Sequence, residues 1–230
     1  MPDYKSEAAK AALQLIKKDS LIGFGAGNTI RYLIEFIKKD RSLASSIATV
    51  SSSFVTKNLL QESGFKIVEI SVTDRLDQYF DGCDQVDGSL NAMKSGGGIH
   101  TMEKLLASMS REFILLADES KFVKRLDATY PLVIEIIPDA IAYVTNGVKT
   151  IFPSAISKIR YSDKKDGAVI TERGNYLIDV SFDVLPEPAT IDNKIGDLTG
   201  VLSHSLFYQL AHKAVIAGPS GINIVSRVAV

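Results

Sequence analysis

The chain has 230 residues, 46% of them hydrophobic, enough to bury the core of one large domain or of a domain with a small satellite. With 26 basic and 27 acidic residues its formal net charge is -1, which excludes a broad field for nucleic acid or an anionic membrane, so any anion site must be local. The single cysteine, Cys83, excludes an intrachain disulfide. The polar start of the chain and the lack of an apolar run of roughly 20 residues carry no targeting or membrane signal, so a cytoplasmic location is expected.

Residues 3–18 place Ala8, Ala9, Ala12, Leu13, Leu15 and Ile16 on one helical face behind a possible cap, Asp3. Leu21 to Phe24 is a short apolar run that ends in glycines, and Ile30, Leu33, Ile34 and Ile37 then repeat at helical spacing, which predicts strand, tight loop and helix. The pattern recurs: Ile47 to Val50 as strand, Ser51 to Ser53 as loop or cap, Phe54 to Glu62 as helix closed by Gly64, and Lys66 to Val72 as strand. Strands are expected again at Gln78 to Cys83 and at Phe113 to Ala117, with a helix from about His100 to Ser110 between them. Phe113 to Ala117 is continuously apolar, as a strand covered on both faces requires. Strands alternating with helices predict an α/β fold with a parallel sheet and right-handed crossovers.

After about Lys124 the texture changes. Pro131 to Pro138 holds an apolar strand, a helix is expected next, and 168–171 and 176–180 flank Arg173, Gly174 and Asn175 as a hairpin, which together predict a small α+β domain. The last apolar runs, 201–207, 214–216 and 222–228, are separated by Gly218, Pro219 and Gly221 and are expected to return to the first domain.

Chemistry concentrates in a few short segments. Gly23-Phe-Gly-Ala-Gly27-Asn28-Thr29 joins a strand to a helix, where glycines allow close backbone approach and a helix N-terminus offers N–H groups to a phosphate. A dinucleotide fingerprint wants glycine where Asn28 stands, and no Gly-Lys-Ser/Thr follows, so neither NAD nor a nucleoside triphosphate is indicated. Ser51 to Ser53 stands at a strand end and reads either as sugar-phosphate hydroxyls or, more commonly for such a triplet, as a cap and turn. Asp81, Gly82, Cys83, Asp84 and Asp87 lack calcium-loop spacing, and Asp81 and Asp84 leave an apolar strand at its C-terminal end. Lys94, Ser95, Gly96, Gly97 and Gly98 set a cation beside consecutive backbone donors, the composition of an anion nest or oxyanion hole. Glu103 follows in the first turn of a helix, where burial would raise its pKa toward that of a useful base, although a glutamate there is common as a simple helix start. Lys121, after the strand at 113–117, is placed to reach the same anion or to stand solvated. His100, His204 and His212 lack metal-ligand spacing.

Taken in order, Gly23 to Thr29, Ser51 to Ser53, Asp81 to Asp84, Lys94 to Gly98 with Glu103, Asp118 to Lys121, Pro131 to Pro138 and Thr171 to Asn175 resemble the ribose-5-phosphate isomerase A family over nearly the whole chain. The most specific part is Asp-Gly-x-Asp, then Lys-x-Gly-Gly-Gly, then Glu-Lys. The resemblance implies a Rossmann-like, mostly parallel sheet flanked by helices (1–126 and 206–230) and a smaller α+β domain (127–205) serving oligomerisation and as an active-site lid. It implies interconversion of ribose 5-phosphate and ribulose 5-phosphate through a cis-enediolate, without metal or organic cofactor, by a homodimer or homotetramer. By the same resemblance Glu103 is the base, Asp81 assists ring opening, Asp84 binds hydroxyls, and Lys94 with the amides of Gly96 to Gly98 stabilises the enediolate. Ala26, Gly27, Asn28 and Thr29, Lys121 and Lys5 hold the phosphate, and Gly82, Cys83 and Ser95 complete the substrate site. The family loop usually reads Gly-Thr-Gly-Ser-Thr, so Ala26 and Asn28 remove two hydroxyls here; Cys83, Ser95 and Arg173 are further departures, and none removes a proposed catalytic group. The rivals are a non-catalytic sugar-phosphate sensor on the same sheet, against which the absence of a basic helix-turn-helix stretch argues, and a deaminase or lactonase of a phosphorylated sugar.

Overall fold

The computed structural model describes residues 2–164 and 166–227. Its elements are α1 (Tyr4–Leu13), β1 (Leu21–Phe24), α2 (Asn28–Lys39), α3 (Arg41–Ser46), β2 (Ala48–Ser51), α4 (Phe54–Glu62), β3 (Lys66–Ile67), β4 (Gln78–Gly82), β5 (Gln85–Asp87), β6 (Ala92–Met93), α5 (His100–Met109) and β7 (Phe113–Asp118). They continue with β8 (Phe122–Val123), β9 (Leu132–Ile136), α6 (Ile141–Ile151), β10 (Ile156–Ile159), β11 (Tyr176–Ser181), α7 (Pro188–Gly196), β12 (Val201–His204), β13 (Leu206–Phe207), β14 (Lys213–Gly218) and β15 (Gly221–Ser226).

The main sheet has the order β15-β14-β7-β4-β1-β2-β3 and is parallel except for β15, which forms a hairpin with β14. From β1 the chain steps outward to β2 and β3, then crosses back to lay β4 on the other side of β1. Connections therefore diverge between β1 and β4, and such a switch point opens a crevice at the C-terminal strand ends. Both faces are covered. Ile114 and Leu116 of β7 pack toward α1 and α2 with Ile22, Phe24, Ile30 and Leu33, while Phe113 and Leu115 pack toward α5 with Tyr79, Leu106 and Phe207. The period-two alternation of a strand thus turns one apolar run into two half-cores. No helix among the described residues is long and apolar enough to cross a membrane.

A second, antiparallel sheet, β10-β11-β9-β12, packs Leu132, Ile134, Ile136, Ile178 and Val180 against Val144, Val148, Ile191 and Ile195 of α6 and α7. A third, β13-β6-β5-β8, joins the two larger units.

Several expectations change here. The N-terminal helix stops at Leu13, with Asp3 Oδ1 accepting the amides of Lys5 and Ser6 as its cap. Lys66 to Val72 is strand only over Lys66–Ile67, followed by a 3₁₀ turn at Ile70–Val72. The run 201–207 divides between β12 and β13. In the run 222–228, β15 accounts for the residues to Ser226, and Val228 lies outside the described residues. The hairpin of 168–171 with 176–180 is replaced: β11 pairs with β10 and β9, and only an isolated bridge joins Ile170 to Tyr176. The turn itself forms, with Gly174 at φ 81°, but the Thr171 and Asn175 side chains both donate to buried Glu135 and draw that loop inward instead of into a ladder.

At the end of the sheet remote from the crevice, Glu112 accepts hydrogen bonds from Lys213 Nζ at 2.5 Å and Gln78 Nε2 at 2.9 Å and pairs with Lys17 Nζ at 3.3 Å. Gln78 also holds the Leu15 carbonyl and the Lys17 amide, so this cluster ties the end of the first helical segment to three strands. Burial alone would raise the Glu112 pKa, but the donors from Lys213, Gln78 and Lys17 bring it down to about 2. Its stabilising contribution is therefore complete above the ordinary value of 4.5 and is lost as pH falls toward about 2. Glu112→Gln is expected to destabilise the fold by roughly 1–3 kcal/mol at neutral pH, with the difference shrinking through that acidic window. Denaturant titrations at several pH values test this; a pH-independent difference would refute it.

Candidate active site

The crevice between β1 and β4 is a cavity of about 370 Å³ lined by the loop 26–29, the segment 82–84, Lys5, Lys94, Gly96, Gly97, Glu103 and Lys121. That is an ordinary size for a small-molecule site.

Its floor is a buried ionic triad. Lys94, directly after β6, places Nζ 3.0 Å from Asp81 Oδ2 and 3.3 Å from Glu103 Oε1 and donates to the Gly82 carbonyl at 2.6 Å. All three side chains are at least nine-tenths buried. Asp81 is further held by Tyr79 Oη, which donates to Oδ2 at 2.6 Å, and by the amides of Ala26 and Gly82, which donate to Oδ1 at 3.1 and 2.8 Å. A Cβ on Gly25 would lie 1.9 Å from the Asp81 carboxyl, so only glycine lets the loop pass this close.

Burial pushes the Glu103 pKa up to about 8, with the Asp81 charge adding to the rise and Lys94 opposing it. For Lys94, burial favours the neutral amine, but the carboxylates of Asp81 and Glu103 outweigh it and hold the pKa above the ordinary lysine value, so the ammonium persists. Two carboxyl groups thus share one cation, and Glu103 retains its proton well into the neutral range. Burial raises the Cys83 thiol to about 12, against the pull of Lys94 and Lys121, so Cys83 lines the cavity as a neutral thiol.

Above the triad, α2 begins at Asn28 behind Gly27, whose φ of 93° turns the chain and which supplies no side-chain cap. The first amides of α2 therefore face the cavity uncapped, beside Lys5 and Lys121, and form a cradle for an anion. Lys121 Nζ donates to the Cys83 carbonyl at 2.6 Å.

The other residues singled out in the sequence fall into place unevenly. Asp84 lines the cavity, yet its Oδ2 accepts the amides of Ser95 and Gly96 at 2.6 and 3.0 Å, so it also anchors the glycine loop. Ser95 and Gly98 are not part of the lining: Ser95 Oγ donates to the Pro131 carbonyl, and Gly98, at φ 70°, sits against Leu177. Ser51 to Ser53 line a neighbouring cavity and act as cap and turn, with Ser53 Oγ accepting the Thr56 amide and Ser51 Oγ donating to the Phe24 carbonyl. Ser52 Oγ lies 3.0 Å from Tyr79 Oη and so continues the Asp81 network. Sequence reasoning missed Tyr79, though its position two residues before Asp81 on one strand puts both on the same face. It also missed Glu135, which accepts from Thr101 Oγ1 in the first turn of α5, and Arg160, which grips the glycine loop; neither carries a local signal.

A parallel sheet that buries two carboxyl groups around one lysine, beneath an uncapped helix start, has the make-up of an α/β enzyme whose site suits an anionic substrate. Residues 48–221 match the family model of ribose 5-phosphate isomerase A (phosphoriboisomerase A). Ribose-5-phosphate isomerase A of Thermosynechococcus vestitus is 34% identical over 90% of this chain and 88% of its own, and that of Pyrococcus abyssi is 34% identical over 98% of each. A D-ribose-5-phosphate isomerase solved in complex with phospho-erythronic acid superposes with a TM-score of 0.91 at 33% identity, covering 98% of both chains. Ribose 5-phosphate isomerase from Plasmodium falciparum gives a TM-score of 0.91 at 26% identity over the full length of both. The chain belongs to the ribose 5-phosphate isomerase A family.

The raised Glu103 pKa has a consequence for stability. The folded protein keeps this proton where the unfolded chain has lost it, so the group's contribution is full below the ordinary 4.5 and declines as pH rises toward about 8. Glu103→Gln removes the titration, and its melting temperature relative to the parent is expected to climb over that interval. Thermal denaturation of both proteins across that range measures it; a constant gap would contradict the raised pKa.

Proposed function

We propose that this isomerase interconverts ribose 5-phosphate and ribulose 5-phosphate through a cis-enediolate, with Glu103 as the base that carries one proton between C2 and C1. The observation that carries this reading is the Lys94 ammonium bridging Asp81 and Glu103 at the cavity floor. The proton on C2 of the open-chain aldose is acidified by the neighbouring aldehyde. A carboxylate on one face of the chain removes it and returns it to the adjacent C1, so a single base serves both halves of the reaction. Burial makes Glu103 a stronger base than a solvated glutamate, and the persistent charge of Lys94 balances the negative charge that grows on the substrate oxygens toward the transition state.

Asp81, held by Tyr79 and two amides, assists ring opening and proton movement at the oxygens, and Asp84 with the segment 82–83 binds hydroxyls. The phosphate lies on the amides at 27–29 between Lys5 and Lys121, the Ala26 amide being spent on Asp81. That a relative was solved in complex with phospho-erythronic acid supports a site for a phosphorylated sugar acid or its enediolate-like analogue, since that ligand joins a carboxylate to a phosphate. Every step is served by side chains and amides, so the reading requires no metal or organic cofactor. Residues 127–205 serve as the lid and oligomerisation unit of a cytoplasmic homo-oligomer; family resemblance supports this part.

Glu103→Gln is expected to lower kcat by about 10²–10⁴-fold while leaving the affinity for phospho-erythronic acid nearly unchanged. In deuterated water the parent should form ketose carrying solvent deuterium at the exchanged carbon. An undiminished kcat in the variant would remove Glu103 from the role of base.

A further inference from the structure

Arg160 follows β10 and sits outside the cavity lining, yet it spends its guanidinium on the catalytic loop. Nη1 donates to the Gly96 carbonyl at 3.1 Å and Nη2 to the Ser95 carbonyl at 3.0 Å. From the other side Asp179 on β11 receives Nε at 3.0 and 3.1 Å and Nη2 at 2.6 Å, a two-toothed fork that fixes the guanidinium plane. The Arg160 backbone is tied down as well, its amide donating to the Leu177 carbonyl and its carbonyl accepting the Val169 amide.

A trans peptide points its N–H opposite to its C=O. With the Ser95 carbonyl turned to Arg160, the Gly96 N–H points the other way, and it meets Asp84 Oδ2 at 3.0 Å. With the Gly96 carbonyl also turned to Arg160, the Gly97 N–H points away from the guanidinium too, and Gly97 itself lines the cavity. Among the described residues the Gly97 N–H meets no protein acceptor. Three consecutive glycines would otherwise sample many orientations, because glycine has the freest backbone. A cation on the carbonyl also polarises the peptide and strengthens its N–H as a donor.

We propose that Arg160, braced by Asp179, is a positioning residue that locks the glycine-loop peptides so that the Gly97 N–H is aimed at the oxygen on which enediolate charge develops. This rests on the isomerase reading above and adds a residue from the second sheet to its machinery. Arg160 touches no reacting atom; it acts through the Gly96–Gly97 peptide.

Kinetics of Arg160→Ala, Arg160→Lys and Asp179→Asn test the proposal, beside Glu103→Gln. Loss of an oriented oxyanion donor is expected to lower kcat by about 10–10³-fold with KM little changed. Affinity for phospho-erythronic acid should fall in step with kcat/KM, while inhibition by inorganic phosphate stays constant. Arg160→Lys keeps the charge but not the fork and should not rescue, whereas added guanidinium ion should partly restore Arg160→Ala. If Arg160→Ala does not fold, Arg160→Lys and Asp179→Asn carry the same comparison. A folded variant with unchanged kcat overturns the proposal, as does a parallel loss of phosphate inhibition, which would signal general loosening of the site. The isomerase reading fails separately, through Glu103→Gln.

Discussion

Everything at this site depends on holding one ammonium and two carboxyl groups out of water at the C-terminal edge of a sheet. Such burial costs several kcal/mol for each ion and is recovered only when the geometry is tight and the remaining donors and acceptors are satisfied. The chain meets that condition with groups from three elements close in sequence, Asp81 on β4, Lys94 after β6 and Glu103 on α5, and with the Tyr79 hydroxyl and the amides of Gly82 and the distant Ala26 around Asp81. Burial, with the Asp81 charge adding to it and Lys94 opposing, is what leaves Glu103 more basic than an ordinary glutamate.

The switch between β1 and β4 explains why the anion cradle and the triad share one crevice. The loop after β1 brings the start of α2 over the cavity, and its passage beside Asp81 leaves no room for a side chain at Gly25. Ala26 and Asn28 alter the side chains of this loop from the usual family pattern, but the Ala26 amide still reaches Asp81 and the first amides of α2 remain uncapped. Backbone amides, which any substitution other than proline leaves in place, therefore carry much of the anion cradle.

The antiparallel sheet supports this crevice. Glu135 receives Thr101 from the first turn of α5, the turn that also carries Glu103, together with Thr171 and Asn175 from its own side. Arg160 holds the carbonyls of the loop between Lys94 and Glu103. Both ends of the segment that links Lys94 to Glu103 are therefore fixed from the second sheet. This is how a glycine-rich stretch can be kept in one conformation.

Much of this was legible in the sequence because it is local. Strand, glycine turn and helix at 21–38 follow from apolar spacing and from the backbone freedom of Gly27, and the double coverage of β7 follows from its unbroken apolar run. The acids, the lysine and the glycines between Asp81 and Glu103 could be recognised by type and order. What the sequence could not determine was long-range. The pairing of β11 with β10 instead of 168–171, the diversion of Thr171 and Asn175 to Glu135, and the grip of Arg160 on a loop more than sixty positions away arise only when distant segments compete for the same partners. Residue type alone decided which groups were available for proton transfer. Tertiary burial decided that Glu103 becomes more basic than an ordinary glutamate, because a pKa depends on the water excluded and the charges brought near, and neither exists until the chain has closed around Lys94.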